Sequence, residues 1–362
     1  MLDDGVHDAQ RLKELQALPL DRKVRITQTR IMEWVYYWQK RGKGVSVSFS
    51  GGKDSTVLLD LARRAFPDIP AVFVNTGLEY PEIQKFAKSF PNVTELRPTM
   101  RFDEVVSRYG YPVISKNVAD VIHGARLGQG WRTQALHGQY FYGENKDRES
   151  MRNCKKYLPL FETPVKISAM CCQKMKKEPL HKISEYPITA QTAAESMSRK
   201  AKWLEHGCNA FDMNHPISNP MSFWTEQDVL QYIRLSGTEI CSVYGDVVFE
   251  DEDGNQYDNS FFPDCKLKCT GCQRTGCIFC AYGLHLEKGE TRFQRLSRTH
   301  PRQYEYCIGG GQWVENSKYD STADAETWNP KQIWVPSKTG LGMGKVFDMC
   351  NEIYGNDFMR YR

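Results

Sequence analysis

Two stretches of the chain concentrate residue types that do chemistry. Five of its twelve cysteines fall in "CKLKCTGCQRTGCIFC", Cys265 to Cys280, and two more stand side by side in "AMCCQKMKKEPL" as Cys171 and Cys172. Thiolates are soft metal ligands, and a CxxC turn such as Cys277 to Cys280 lets two sulfurs converge on one centre while its amides stabilise them. The second stretch, "VSVSFSGGKDSTVLLDLARRA", residues 45 to 65, has the pattern of a buried strand, a glycine turn and a helix. Gly51 and Gly52 let backbone N–H groups approach an anion closely. The hydroxyls of Ser50 and Ser55 add donors, and the next helix contributes its positive end, so the turn is a cradle for phosphate, pyrophosphate or sulfate. It is not a Walker P-loop, because Val47 and Asp54 stand where that motif needs Gly and Ser or Thr. No G-x-G-x-x-G signal marks a dinucleotide fold.

These residues need elements to hold them. Apolar positions at helical spacing (Val24, Ile26, Ile31, Trp34, Val35, Trp38) predict an N-terminal helical segment over residues 10 to 40. A strand follows at Val45 to Phe49, then a helix from about Ser55 to Ala65 with Val57, Leu58, Leu59, Leu61 and Ala62 on a broad apolar face. "PDIP" breaks the chain before the short strand "AVFVNTG", and a helix begins at "PEIQKFAKSF". This rhythm predicts an α/β fold: a parallel twisted sheet flanked by helices, with right-handed crossovers. Residues 115 to 200 read as interrupted helix. "SFWTEQDVLQYIRLSG" is a helix with Thr225 as N-cap and Gly237 as stop. "VVFEDEDGNQYDNSFF" has a turn signal at Asp253-Gly254 and reads as a hairpin insertion before the cysteine cluster. "KTGLGMGKVFDMCNEIYG" is glycine-rich, then helical. The expected divisions are 1–43 (helical), 44–242 (nucleotide-binding α/β), 243–310 (hairpin and cysteine-rich) and 311–362 (C-terminal).

The bulk numbers bound the function classes. The chain has 362 residues, 40% of them hydrophobic, with a formal net charge of +4. No run of 18 apolar residues occurs and the start lacks a basic region before an apolar core, so no membrane association is expected and the cytoplasm is the expected compartment. Twelve cysteines there argue for metal ligation or thiol chemistry rather than a disulfide framework. Charge is uneven: residues 146–202 carry 13 Lys and Arg against 6 Asp and Glu, whereas 245–264 hold seven acids and no base. Such runs are usually solvated faces, although the basic one could receive a polyanion.

"SGGKDS", Ser50 to Ser55, closely resembles the PP-loop of the adenine-nucleotide alpha hydrolase superfamily. Further matches resemble its phosphoadenosine phosphosulfate (PAPS) reductase family, which also includes adenylyl-sulfate reductases and the ATP-pyrophosphatase of DNA phosphorothioation. They are "VNTGLEYPE" (74–82), "PVISK" (112–116), "AAESMSR" (193–199) and "PMSFWTEQDV" (220–229), in the family's order and spanning roughly residues 24 to 310. The resemblance implies a Rossmann-like sheet and an adenine-nucleotide site, holding ATP, adenylyl sulfate (APS) or PAPS. Ser48, Ser50, Gly51, Gly52, Lys53, Asp54 and Ser55 would surround the phosphates, and Asn75, Thr76 and Gly77 the adenosine. Glu195 and Arg199 would border the pocket, with an exposed i, i+4 salt bridge as the equal alternative. Lys53 would neutralise charge developing as pyrophosphate or sulfite leaves, and Asp54 would position a magnesium ion or simply cap the helix.

Adenylyl-sulfate reductases of the family carry adjacent cysteines before "RK…PL" and a distant CxxC that together bind a 4Fe-4S cluster beside the nucleotide. "CCQKMKKEPL" matches, with Met175 in place of the usual Arg, so the resemblance makes Cys171, Cys172, Cys277 and Cys280 the ligands. A zinc site using Cys265, Cys269 and Cys272 with Cys277 or Cys280 is the alternative. The other cysteines, Cys154, Cys208, Cys241, Cys307 and Cys350, read as small buried hydrophobes. The family's reductases attack with a cysteine in a C-terminal "ECGLH"-like tail; here "AYGLHLE" places Tyr282-Gly283 at that point, and the chain ends "NEIYGNDFMRYR". Reduction thus lacks its nucleophile. The expectation is an ATP-pyrophosphatase that adenylates an acceptor such as nucleic acid for sulfur transfer, with a sulfur-donor or electron-donor protein as partner. Sulfonucleotide reduction through Cys265, Cys269 or Cys272, and non-catalytic nucleotide and cluster sensing, are the alternatives.

Overall fold

The computed structural model describes residues 7–139, 153–259, 265–324 and 327–362. By contacts the chain forms two units, Met1–Arg97 with Leu180–Gly276, and Pro98–Pro179 with Cys277–Arg362. Each unit is built from two stretches because the chain leaves the first after its third strand and returns at residue 180. The unit boundaries therefore fall inside the expected divisions 44–242 and 243–310, whereas 1–43 lies wholly in the first unit and 311–362 wholly in the second. The cysteine-rich stretch is divided with them: Cys265, Cys269 and Cys272 belong to the first unit, Cys277 and Cys280 to the second.

The first unit is built on a six-stranded sheet. Its strands in chain order are β1 (Val45–Ser48), β2 (Ala71–Val74), β3 (Val93–Leu96), β4 (Tyr186–Ile188), β5 (Asn209–Ala210) and β6 (Ile217–Ser218). Their spatial order is β3-β2-β1-β4-β6-β5, parallel throughout except for β5 against β6. β1 is a run of Val and Ser buried on both faces, as a central parallel strand must be. Helix Lys53–Ala65 links β1 to β2, and helix Pro81–Ser89 links β2 to β3. Helices Leu20–Gln39, Lys53–Ala65 and Glu226–Ser236 pack on one another. The expected α/β class, with its parallel sheet, flanking helices and N-terminal helical segment, is the observed one.

Sequence periodicity misplaced part of the N-terminal helix face. Ile31, Trp34, Val35 and Trp38 are buried as expected, each worth about 1.5–3 kcal/mol relative to exposure, but Val24 and Ile26 are only half-buried. Lys23, Thr27 and Arg30 fill that stripe instead. The Lys23 ammonium is 2.6 Å from Asp228 Oδ2 and donates to the Gln16 carbonyl; the Thr27 hydroxyl accepts from Trp224 Nε1 at 2.9 Å. A polar stripe can be buried only when paired in this way.

Helix Glu226–Ser236 is capped by Thr225, which exchanges hydrogen bonds with Asp228, and stops at Gly237 with φ +67°. The hairpin is also present: Val247–Glu250 pairs antiparallel with Gln256–Tyr257 through Asp253-Gly254, and Lys266–Cys269 adds a third strand. β4 went unforeseen within the segment read as helical, since three residues around Pro187 carry no periodic signal.

In the second unit, helix Lys116–Arg126 packs on Gly130–Leu136. Arg292–Thr299 packs on Pro301–Ile308, which packs on Met343–Tyr354, the helix expected after the late glycines. Val113–Ile114 pairs in parallel with Ala281–Tyr282, and Gln312–Glu315 forms an antiparallel ribbon with Gln332–Val335. Among the described residues, no helix is long and apolar enough to cross a membrane.

Candidate active site

β1 has β2 on one side and β4, reached by a long excursion of the chain, on the other. This is a topological switch point, and in open α/β sheets ligands sit outside the carboxyl ends of the strands at such a point. The Ser50–Ser55 turn leaves β1 there. Gly51 has φ +71°, and a Cβ on it would lie 3.0 Å from Ile83 Cγ2 and 3.2 Å from the Ile83 carbonyl, so both conformation and space call for glycine. The turn is tied internally: the hydroxyls of Ser50 and Ser55 are 3.0 Å apart, Ser50 N–H donates to Ser55 Oγ, and Ser55 Oγ donates to the Gly52 carbonyl. Ser48 closes β1 just before it.

Helix Lys53–Ala65 begins inside the turn, two residues earlier than the sequence predicted. Its N-cap is Gly52, with no side-chain capping bond. Asp54 therefore does not cap; it is an acidic first-turn residue, 37% exposed and 3.8 Å from the Lys53 ammonium. Lys53 is 2% exposed. Its ammonium donates to the Gln273 carbonyl at 2.8 Å and lies 3.1 Å from Glu226, while its backbone N–H donates to the Tyr244 hydroxyl at 3.1 Å. Tyr244 is buried, and its hydroxyl is hydrogen-bonded to Thr275 Oγ1. Burial pushes this phenol well up, so it stays protonated.

The other predicted nucleotide residues lie on the same unit. Asn75 and Thr76 follow β2 at its carboxyl end. Asn75 Nδ2 donates to Glu95, its Oδ1 accepts from Gly77 N–H, and Thr76 donates to the buried Glu79 carboxylate. Beyond β4, the half-buried Glu195 accepts from Thr192 N–H in a capping box and pairs with the half-buried Arg199. Burial pulls the Arg199 guanidinium below the usual arginine range, reinforced by Arg274 and opposed by Asp54. Sequence reasoning missed Tyr244, Glu226 and Gln273–Thr275 around Lys53. No local pattern could have joined Lys53 to residues 173–222 positions further along the chain.

Cys269, Cys272 and Cys241 of the first unit belong to this neighbourhood. Cys269 and Cys272 are buried; the Cys269 thiol is pushed up to about 11 by burial, with the Lys53 ammonium pulling it back. Cys241 is likewise raised by burial and feels Cys272. Cys265 is only partly buried.

The second unit holds the four proposed ligands. Cys171 and Cys172 sit in the turn Met170–Cys172, which continues as a π-helical turn over Gln173–Lys177, an irregular form enriched at functional sites. Tyr282 follows Cys280, and its hydroxyl donates to the Ser168 carbonyl at 3.1 Å, tying the CxxC segment to the segment before Cys171. Burial pushes the Cys171 thiol far up, and the charges of Cys277, Cys172 and Cys280 push it further. Cys280 is raised by burial too, opposed by the Tyr282 N–H and Arg292. Among the described residues no group of three or more His, Cys, Asp or Glu is arranged to hold a metal ion. Cys154, Cys208, Cys241, Cys307 and Cys350 are all buried.

A parallel sheet with a glycine phosphate cradle at its switch point defines a nucleotide-binding α/β protein. The phosphoadenosine phosphosulfate reductase domain matches residues 44–115 and 135–282, more than half of the chain, and the chain belongs to that family. Sulfate adenylyltransferase subunit 2 of Rhizobium tropici is 28% identical over 217 residues, 54% of this chain and 56% of that one. An uncharacterized protein of Methanocaldococcus jannaschii is 34% identical over 83 residues, 21% of this chain and 20% of that one. The chain spans about half the length of the first relative and about a fifth of the second. The phosphate complex of the PAPS reductase from Candida auris has 12% identity and a TM-score of 0.32, covering 65% of this chain and 90% of that chain.

Proposed function

We propose that the protein is a PP-loop enzyme of sulfur metabolism that binds ATP at Ser48, Ser50–Ser55, Asn75–Gly77, Glu195 and Arg199, and transfers its adenylyl group to an acceptor oxyanion. The observation that carries this is the Gly51 turn at the switch point, where helix Lys53–Ala65 starts and both the positive φ and the close approach of Ile83 bar a side chain, the geometry of an anion cradle. An acceptor oxygen attacks the α-phosphorus, the bond to the β-phosphate oxygen breaks, and pyrophosphate leaves with the electron pair. Lys53 supplies the countercharge to the leaving group once the phosphates take the place of the Gln273 carbonyl and Glu226 at its ammonium. Asp54 is the half-exposed carboxylate available to the magnesium ion that accompanies ATP.

Two observations favour adenylation over sulfonucleotide reduction. The position of the reductase nucleophile holds Tyr282, whose backbone is paired in a strand and whose hydroxyl is committed to Ser168. The Rhizobium tropici relative is named for adenylylation of sulfate, which is chemistry at an α-phosphate. Cys171, Cys172, Cys277 and Cys280 fit an iron-sulfur cluster by donor type, and all four belong to the second unit, where Tyr282 ties the CxxC segment to the segment before Cys171; zinc is the alternative. Such a cluster would supply redox or sulfur-donating chemistry to the adenylated acceptor. Nucleic acid is the acceptor we favour for sulfur transfer, and sulfate is the competitor.

The test is to offer the anaerobically purified protein ATP with sulfate or with oligonucleotide, and APS and PAPS in parallel, assaying pyrophosphate, AMP and sulfite. Pyrophosphate from ATP that disappears in Lys53→Ala supports the proposal. Sulfite from PAPS or APS, with none of that pyrophosphate, overturns it in favour of reduction.

A further inference from the structure

The second unit carries a cavity of about 760 Å³ that the proposed chemistry does not use. Its wall is formed by helices Phe102–Tyr109 and Lys116–Arg126 and by the ribbon Gln312–Glu315 with Gln332–Val335. Arg108, Arg126, Lys166 and Lys318 line it, against the single carboxylate of Glu315. None of these four cations forms an ion pair with a carboxylate among the described residues. A concave surface of one sign with low-dielectric walls focuses its field on whatever enters.

The cations are held in place by other means. Arg126 donates to the carbonyls of Leu160, Phe161, Thr163 and Val165 and lies 4.3 Å from the centre of the Trp328 ring, whose indole N–H donates to the same Thr163 carbonyl. The Lys166 ammonium donates to the Ser107 carbonyl at 3.0 Å. Burial pulls Lys166 below the usual lysine range, and the positive charge of Lys318, on the same cavity wall, pulls it further. Lys318 and Arg108 are exposed. The volume lies within the range of small-molecule sites and far exceeds that of a single inorganic anion, and Tyr109 and Trp328 add flat apolar wall.

We infer that this cavity is a second anion site, built for a phosphate group carried on a flat aromatic ring: a nucleotide, either free or as one unit of a single strand. Phosphate on Arg108, Lys166 and Lys318 relieves the repulsion between the two lysines, and the ring lies against the aromatic wall. The site is independent of the PP-loop, being formed wholly by the second unit.

The experiment measures fluorescence anisotropy of a labelled single-stranded oligonucleotide, and separately of fluorescent AMP, against the full chain in the wild-type and Lys53→Ala backgrounds. The variants are Lys318→Glu and Arg108→Glu, with Lys13→Glu, an exposed residue of the first unit, as control. For at least one probe, each cavity variant is expected to weaken binding about tenfold or more and to lower the salt slope by about one, whatever the state of Lys53. Loss with AMP assigns the site to a free nucleotide, and loss with the oligonucleotide alone assigns it to a strand. Binding of both probes unchanged by the cavity variants, equal weakening by Lys13→Glu, or no binding of either probe outside the PP-loop overturns the inference.

Discussion

Replacing Gly51 by Ala tests the cradle at its tightest point, and Gly42 provides an internal reference. Both have positive φ, +71° and +66°, but a Cβ on Gly42 meets nothing within 4 Å, whereas one on Gly51 meets Ile83 at 3.0 and 3.2 Å. For an L-residue the left-handed conformation costs about 1–2 kcal/mol, of which Ala recovers about 0.4–1 kcal/mol by restricting the unfolded chain. Gly42→Ala should therefore cost about 1 kcal/mol. Gly51→Ala adds an overpacked contact in which one neighbour is a backbone carbonyl that cannot rotate away, a further ~1–3 kcal/mol. The total is about 2–4 kcal/mol, read as a lower urea midpoint. Because the turn must shift to relieve the contact with Ile83, moving the amides of the proposed cradle, ATP affinity of Gly51→Ala should fall about tenfold or more, with Gly42→Ala unchanged. Equal stability losses for the two variants would refute the steric account, and unchanged ATP affinity in Gly51→Ala would refute the cradle.

Lys53→Ala should lower pyrophosphate release from ATP by about 10²–10³-fold, and a smaller loss in a turnover assay would show that Lys53 only packs. Lys23→Ala strands the Asp228 carboxylate, buried beside Thr225, and should cost about 3–5 kcal/mol in urea unfolding; a loss under 1 kcal/mol would show that water reaches the pair. Cys171→Ser and Cys280→Ser should each abolish iron and sulfide in anaerobically purified protein while Cys307→Ser retains them, and equal metal content in all three would remove the ligand assignment. Burial raises the Cys350 thiol from 9.0 to about 12. The unfolded chain therefore loses that proton first, so the stability it contributes is complete below pH 9 and is lost between pH 9 and about 12, at up to ~1.4 kcal/mol per pH unit. Cys350→Ala should flatten the fall of the urea midpoint above pH 9, and identical pH profiles for variant and wild type would refute this.

Legibility of the sequence followed the range of the interactions that build each feature. The glycine turn, the caps of Glu226–Ser236 and the hairpin at Asp253-Gly254 are set within a few residues, and the order of side chains there carries the geometry. β4 is set by pairing with β1 across more than a hundred residues, and a strand of three residues containing Pro187 shows neither alternation nor helical spacing. The buried stripe of Lys23, Thr27 and Arg30 was invisible for a related reason: apolar periodicity assumes an apolar partner, and here the partners are Asp228 for Lys23, the Pro220 carbonyl and Trp224 for Thr27, and Glu33 for Arg30.

The same distinction governs the candidate site. Sequence placed Lys53 at a phosphate cradle but could not show that its ammonium is already engaged by a carbonyl and a carboxylate from two distant segments. That engagement has a chemical consequence. A buried ammonium held by Glu226 and Gln273 is neutralised without ligand, so phosphate must offer more than these partners together. A triphosphate with several negative oxygens does so, and a lone weak anion does not. Occupancy of the cradle thereby becomes selective for polyphosphate, and removing the carboxylate by Glu226→Gln should tighten binding of inorganic phosphate more than that of ATP. Equal changes for the two ligands in a direct binding assay would show that Glu226 does not compete for Lys53.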